Sequence, residues 1–152
     1  MTFRLMIFLV INFAALALGG WLMGSGASSP WYSELNKAPW TPPGWSFGAA
    51  WTTIMICFAF YMTYAWEAAE SRSNLMVLYT VQWILNTSWS PMFFRYHQSA
   101  TALILITLLT LLIAYILFIY FHRLRIKSLF IAPYFAWLLI ATSLNAYIVL
   151  NN

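Results

Sequence analysis

Charged side chains are what this sequence has least of: seven Lys and Arg and three Asp and Glu among 152 residues, or 7%, against roughly 25% in a soluble domain. With 63% hydrophobic residues and a mean hydropathy of +0.77, that scarcity excludes a water-soluble globule, a disordered tail and a nucleic-acid reader. A single cysteine, Cys57, excludes an internal disulfide and a cysteine-rich metal site, and within its apolar run it reads as a small buried hydrophobe. His97 and His122 fall at helix ends on opposite faces and do not converge on a metal; anchoring at the interface is the expected role of each. There is no Ser-His-Asp set, no glycine-rich phosphate loop and no pair of catalytic carboxylates; Glu67 and Glu70 share one turn at a helix edge, where water is their expected partner. No acid lies inside an apolar run, which disfavours the proton-coupled export of cationic compounds.

What the chain does have is apolar length and aromatic rings: nine Trp, nine Tyr and twelve Phe. Crossing a ~30 Å hydrocarbon core takes about 20 apolar residues at 1.5 Å each, and five stretches are of that length. The sequence therefore predicts an all-α integral membrane protein. It is a single domain over residues 1–152, a bundle of five transmembrane helices at about 3–23, 47–66, 75–94, 100–121 and 129–150. A long ordered loop at 24–46 joins the first two. Only Arg4 among the charged residues lies within a run. The first run, with Gly24 to Ser29 behind it, also fits a secretory signal with a small-residue cleavage region. Asn12 and the pairs Ala15/Gly19 and Leu16/Gly20 favour a retained helix that packs closely in lipid.

Cytoplasmic loops collect Lys and Arg. Arg4, Arg72, Arg123, Arg125 and Lys127 fall on one side and Lys37 and Arg95 on the other, which predicts a cytoplasmic N-terminus and an external C-terminus. The 24–46 loop is then external. It holds Trp31, Tyr32, Trp40 and Trp45 among Pro30, Pro39, Pro42 and Pro43. Such a segment is either an interfacial aromatic belt or a stiff lid across the bundle mouth, and its length favours the lid. Glu34 and Lys37 are spaced to pair if the lid contains a helical turn.

Helical spacing places Tyr79, Gln82, Asn86, Trp89 and Phe93 on one stripe of the third span, with Ser90 beside Trp89. A carboxamide in hydrocarbon needs a partner, so this stripe faces protein or a cavity, and Gln82 and Asn86 serve either as interhelical ties or as ligand groups. Pro91 removes a backbone hydrogen bond and is expected to kink the helix. Tyr134, Trp137, Ala141, Leu144 and Asn145 repeat the pattern in the fifth span, and Trp51, Met55, Phe58 and Met62 form a stripe in the second. These three stripes are either ordinary core or the walls of a flat, indole-lined chamber; the aromatic count favours the chamber.

Three segments carry a family likeness. Trp31-Tyr32-Ser33-Glu34-Leu35-Asn36-Lys37-Ala38-Pro39-Trp40-Thr41-Pro42-Pro43 followed by Trp51 closely resembles the loop and second helix of the TspO/translocator-protein family, also called the peripheral benzodiazepine receptor family. The stretches Gln82 to Phe94, and Pro133 to Trp137 with Ala141 to Asn145, agree in order and spacing. The resemblance implies a five-helix bundle, usually a homodimer, in a bacterial cell membrane. Its partners would be the lipid bilayer and a porphyrin, such as protoporphyrin IX or haem, or another flat hydrophobic small molecule; no cofactor is required. By position it implies Trp51, Asn86 and Trp137 as pocket residues with Tyr32 in the lid. Together with the stripes, the expected ligand-binding set is Tyr32, Trp51, Gln82, Asn86, Trp89, Tyr134, Trp137, Ala141 and Leu144.

Some relatives are reported to degrade protoporphyrin in light, and Trp51 and Trp137 match the tryptophans assigned to that chemistry. Two alternatives thus stand beside binding, transport or sensing of a tetrapyrrole: a light-dependent porphyrin-degrading enzyme, and a structural helper subunit without a ligand. One departure matters. The sterol-recognition pattern of the mitochondrial relatives needs Lys or Arg after the last aromatic, whereas Tyr147 is followed by Ile148-Val149-Leu150-Asn151-Asn152, so the pattern is incomplete here and a sterol-free bacterial context fits better.

Overall fold

A computed structural model describes residues 1–152. It is all-helical, with α1 Thr2–Leu22, α2 Pro30–Glu34, α3 Gly44–Ala68, α4 Arg72–Ser90, α5 Ser99–Leu124 and α6 Ala132–Asn151. The five long helices coincide with the five apolar runs to within a few residues. The loop expected at 24–46 is not purely irregular: a 3-10 turn at Gly26–Ser28 and the short α2 raise the number of α-helices to six. The local cause of α2 is a serine cap followed by proline, with Ser29 Oγ accepting from the Tyr32 N–H at 3.2 Å and Pro30 at the first helical position. Beyond Pro91 the backbone continues as a π-helical turn, Pro91–Arg95, the local outcome of a proline that cannot donate to the ladder.

By length and composition α1, α3, α5 and α6 can each cross a membrane, and α4 does not qualify. Its polar side chains explain why. Tyr79, Gln82, Asn86 and Thr87 are buried inside the bundle, whereas the outward Val77, Val81 and Ile84 are apolar and exposed. Averaging over the helix hides an apolar outer face behind a polar inner one.

The long helices form a ring in which α1 packs between α3 and α4, α5 between α4 and α6, and α6 returns to α3. Buried rings fill its centre, with Phe58, Tyr61 and Tyr134 fully enclosed. Hydrogen bonds between helices take up several of the buried polar groups, as an apolar surrounding favours. Asn12 on α1 donates to the Met55 carbonyl at 3.0 Å and accepts from the Tyr79 hydroxyl at 2.6 Å, tying three helices at one point. Tyr61 donates to the Ile116 carbonyl at 2.9 Å.

One end of the bundle carries Arg4, Glu67, Glu70, Arg72 and Arg123. The two glutamates expected to meet only water are paired instead: Glu67 with Arg4 at 3.5 Å and Glu70 with Arg123, which also donates to the Ala68 carbonyl at 3.1 Å. At the opposite end the Glu34–Lys37 pair does not form. The Lys37 ammonium turns back on its own chain and donates to the Ser33 and Leu35 carbonyls at 3.1 and 3.4 Å.

Candidate functional site

A cavity of about 700 Å³ opens at the Lys37 end of the bundle, within the range of roughly 300 to 1,000 Å³ usual for small-molecule sites. Its floor and sides come from α1, α3 and α4, and the lid crosses above. α1 contributes Ala15, Leu16, Gly19 and Gly20; α3 contributes Phe47, Gly48, Trp51 and Thr52; α4 contributes Asn86, Trp89 and Ser90, with Phe94 from the π turn. Tyr32, Lys37, Thr41 and Pro42 close it from the lid.

The lid is held on three sides. Trp31 stacks on His97 with centroids 4.1 Å apart and planes 16° off parallel, Tyr32 packs on Phe94 at 5.3 Å, and Trp40 donates to Ser143 Oγ at 3.2 Å while meeting Tyr147 edge-on at 5.5 Å. At its centre the Asn36 backbone exchanges two hydrogen bonds with the Asn152 side chain, at 2.9 and 3.2 Å. Burial pushes the Tyr32 hydroxyl above the ordinary tyrosine range, so it is a neutral donor at any physiological pH.

Of the residues expected from sequence, four meet in this cavity: Tyr32, Trp51, Asn86 and Trp89. The Trp51 indole stands edge-on to Tyr134 at 6.0 Å, and Trp89 lies flat on Phe93 with its N–H donated to Asn145 Oδ1 at 3.1 Å. Both indoles are therefore held before any ligand arrives. No side chain or backbone group takes up the carboxamide of Asn86, which lines the cavity. That leaves an amide donor and acceptor available in the wall, beside the Tyr32, Thr52 and Ser90 hydroxyls and the Trp51 N–H, which have no hydrogen-bond partner in the protein either.

The other five, Gln82, Tyr134, Trp137, Ala141 and Leu144, do not line the cavity. Gln82 donates to the Tyr134 hydroxyl at 2.7 Å, an interhelical tie in the core. Trp137 sits behind Phe47, edge-on at 5.3 Å, and its N–H is buried without an acceptor. Ala141 and Leu144 are buried on α6. The chamber expected between the stripes of α3, α4 and α6 is thus bounded by α1, α3, α4 and the lid. In the ring α6 lies behind α3, so Phe47 and Trp51 stand between it and the hollow.

Sequence reasoning missed Lys37, Phe47 and Phe94 as wall residues, and treated the small residues of α1 only as packing. A signal was present in the glycines. Gly20, Gly44 and Gly48 take ordinary backbone angles, and an added Cβ there would meet nothing within 4 Å. Neither crowding nor conformation requires glycine at these places; their lack of a side chain leaves room in the cavity.

The model of the family described as "TspO/MBR family" matches residues 7–150. The Tryptophan-rich protein TspO of Archaeoglobus fulgidus is 34% identical over 143 residues, 91% of this chain and 92% of that protein. The Tryptophan-rich sensory protein of Cereibacter sphaeroides is 31% identical over 115 residues, covering 76% and 72%. The human Translocator protein is 29% identical over 131 residues, covering 84% and 78%.

Proposed function

The chain belongs to the TspO/MBR family of translocator and sensory membrane proteins, and from that premise and the walls of the cavity we propose that it takes up a flat tetrapyrrole beneath the lid. All five long helices then cross the membrane, α4 with its apolar outer face in lipid, and the N-terminus is cytoplasmic with the lid outside. The membrane is a bacterial cell membrane and the working form a homodimer. The observation that carries this reading is the pairing of the aromatic rings of Trp51 and Trp89 with the unpartnered amide of Asn86 in one cavity. Aromatic faces attract a planar π-system by roughly 0.5 to 1.5 kcal/mol each beyond area burial, and the amide orients it. Transport, sensing or regulation of the tetrapyrrole would all start from this complex.

A second reading, breakdown of the bound porphyrin in light, is favoured by Trp51 being an oxidisable indole in direct reach of the cavity. Trp137, the second indole of that reading, would act across Phe47.

A titration of the purified protein with protoporphyrin IX, first dark and then illuminated, tests both. Saturable quenching of tryptophan fluorescence in the dark supports binding; its absence overturns it and favours a helper subunit. Bleaching in light that disappears in Trp51→Phe, with dark affinity kept, supports breakdown; equal bleaching in the variant discards the indole role.

A further inference from the structure

We propose that Lys37 makes the cavity selective for a ligand that carries a carboxylate, so that an acidic planar macrocycle binds in preference to its neutral ester. The inference rests on the tetrapyrrole reading above and adds to it the charge and orientation of the ligand.

Lys37 is the only charged side chain in the cavity wall. Its charge is not cancelled nearby. The ion pairs of the molecule, Arg4 with Glu67 and Arg123 with Glu70, lie at the other end of the bundle, and Glu34 on the neighbouring turn stays outside pairing distance. What holds the ammonium is neutral: the Ser33 carbonyl at 3.1 Å, the Leu35 carbonyl at 3.4 Å and the face of the Tyr32 ring at 4.9 Å. An ammonium has three N–H donors. Two are spent on these carbonyls, leaving one for a ligand. Lys37 is half-buried in a largely apolar wall, where charge is screened less than in water.

Position gives direction. Lys37 belongs to the lid, whereas Asn86 lies one turn before the end of α4 and Trp51 two turns past the start of α3. An acid group held by Lys37 therefore points the macrocycle inward, between Trp51 and Trp89. The mouth of the cavity is cationic and its depth is neutral, so a ligand with its charges on one edge fits better than one charged all round.

Lys37 also ties the end of α2, a role that needs donors and not charge. Lys37→Gln separates the two roles, because glutamine keeps a donor and loses the charge. The test is tryptophan quenching of the full chain in detergent by two probes, protoporphyrin IX and its dimethyl ester. The wild type should prefer the diacid, with the preference shrinking as salt is added. Lys37→Gln should lose about tenfold in affinity for the diacid, the size of one charge-assisted hydrogen bond, and leave the ester unchanged, while Lys37→Arg should restore the preference. Parallel weakening of both probes would make Lys37 a lid tie only, and no change for either would remove it from recognition; each result overturns the inference while leaving the tetrapyrrole reading standing. Failure of both probes to quench the wild type would instead overturn that reading, and this inference with it.

Discussion

Phe47 stands edge-on between the cavity and Trp137, its ring 5.3 Å from the indole and 84° to it. Phe47 lines the hollow that holds Trp51 and Trp89, and the indole it packs against is outside that lining, its N–H buried and without an acceptor.

Phe47→Ala should join Trp137 to the cavity. Its stability cost should be about 2 kcal/mol, below that of a fully enclosed ring because Phe47 is only half-buried. The measurement is protoporphyrin quenching in Phe47→Ala compared with Phe47→Ala/Trp137→Phe. A larger quenched fraction in the single variant is expected, and equal fractions would mean that Trp137 stays sealed by other groups.

Asn86→Leu should leave stability almost unchanged, because its carboxamide has no partner in the protein to lose. Porphyrin affinity should fall by about fivefold, corresponding to roughly 1 kcal/mol for one neutral hydrogen bond. Gln82→Leu should do the reverse, loosening the core by breaking the bond to Tyr134 with little effect on affinity. Thermal unfolding in detergent and the same titration check both, and opposite results would exchange the roles assigned to the two amides.

Tyr79→Phe removes the hydroxyl that Asn12 accepts at 2.6 Å. Asn12 and Tyr79 are both buried, so the variant leaves an acceptor unsatisfied, at an expected cost of about 1 to 3 kcal/mol. A melting temperature equal to that of the wild type would show that the three-helix tie is carried by the Asn12 to Met55 bond alone.

Asn152→Ala deletes the side chain that exchanges two hydrogen bonds with Asn36. These bonds are exposed, so global stability should change by less than about 1 kcal/mol, but the lid should open more often. Faster amide hydrogen exchange over residues 30–42 and a faster dark dissociation of protoporphyrin are expected. Unchanged exchange would leave the Trp40 contacts with Ser143 and Tyr147 as the sole latch on that side.

Much of the fold was legible before any coordinate. Charges confined to the gaps marked the helix ends, because a charge at mid-bilayer costs roughly 2.5 to 3.5 kcal/mol, and the proline and tryptophan spacing of the 24–46 segment marked it as ordered. The serine and proline at 29 and 30 foretell a helix start, yet the short α2 was read only as a conditional turn at Glu34 and Lys37. Helical spacing also placed Trp51, Asn86 and Trp89 on inward stripes, and the hollow lies on those stripes.

What the amino-acid sequence determined by itself is therefore the solvent, the helix limits and the face each helix turns inward. Only the tertiary structure decided which inward faces meet. A 3.6-residue period orients a side chain about its own helix axis and carries no information about the order of neighbours. In a membrane bundle the outer face is apolar too, which removes the reference that water supplies elsewhere. The ring order set α6 behind α3, so Gln82 and Tyr134 became core ties and Trp137 a second layer. The turn of the lid brought Lys37 into the wall in place of a surface pair with Glu34.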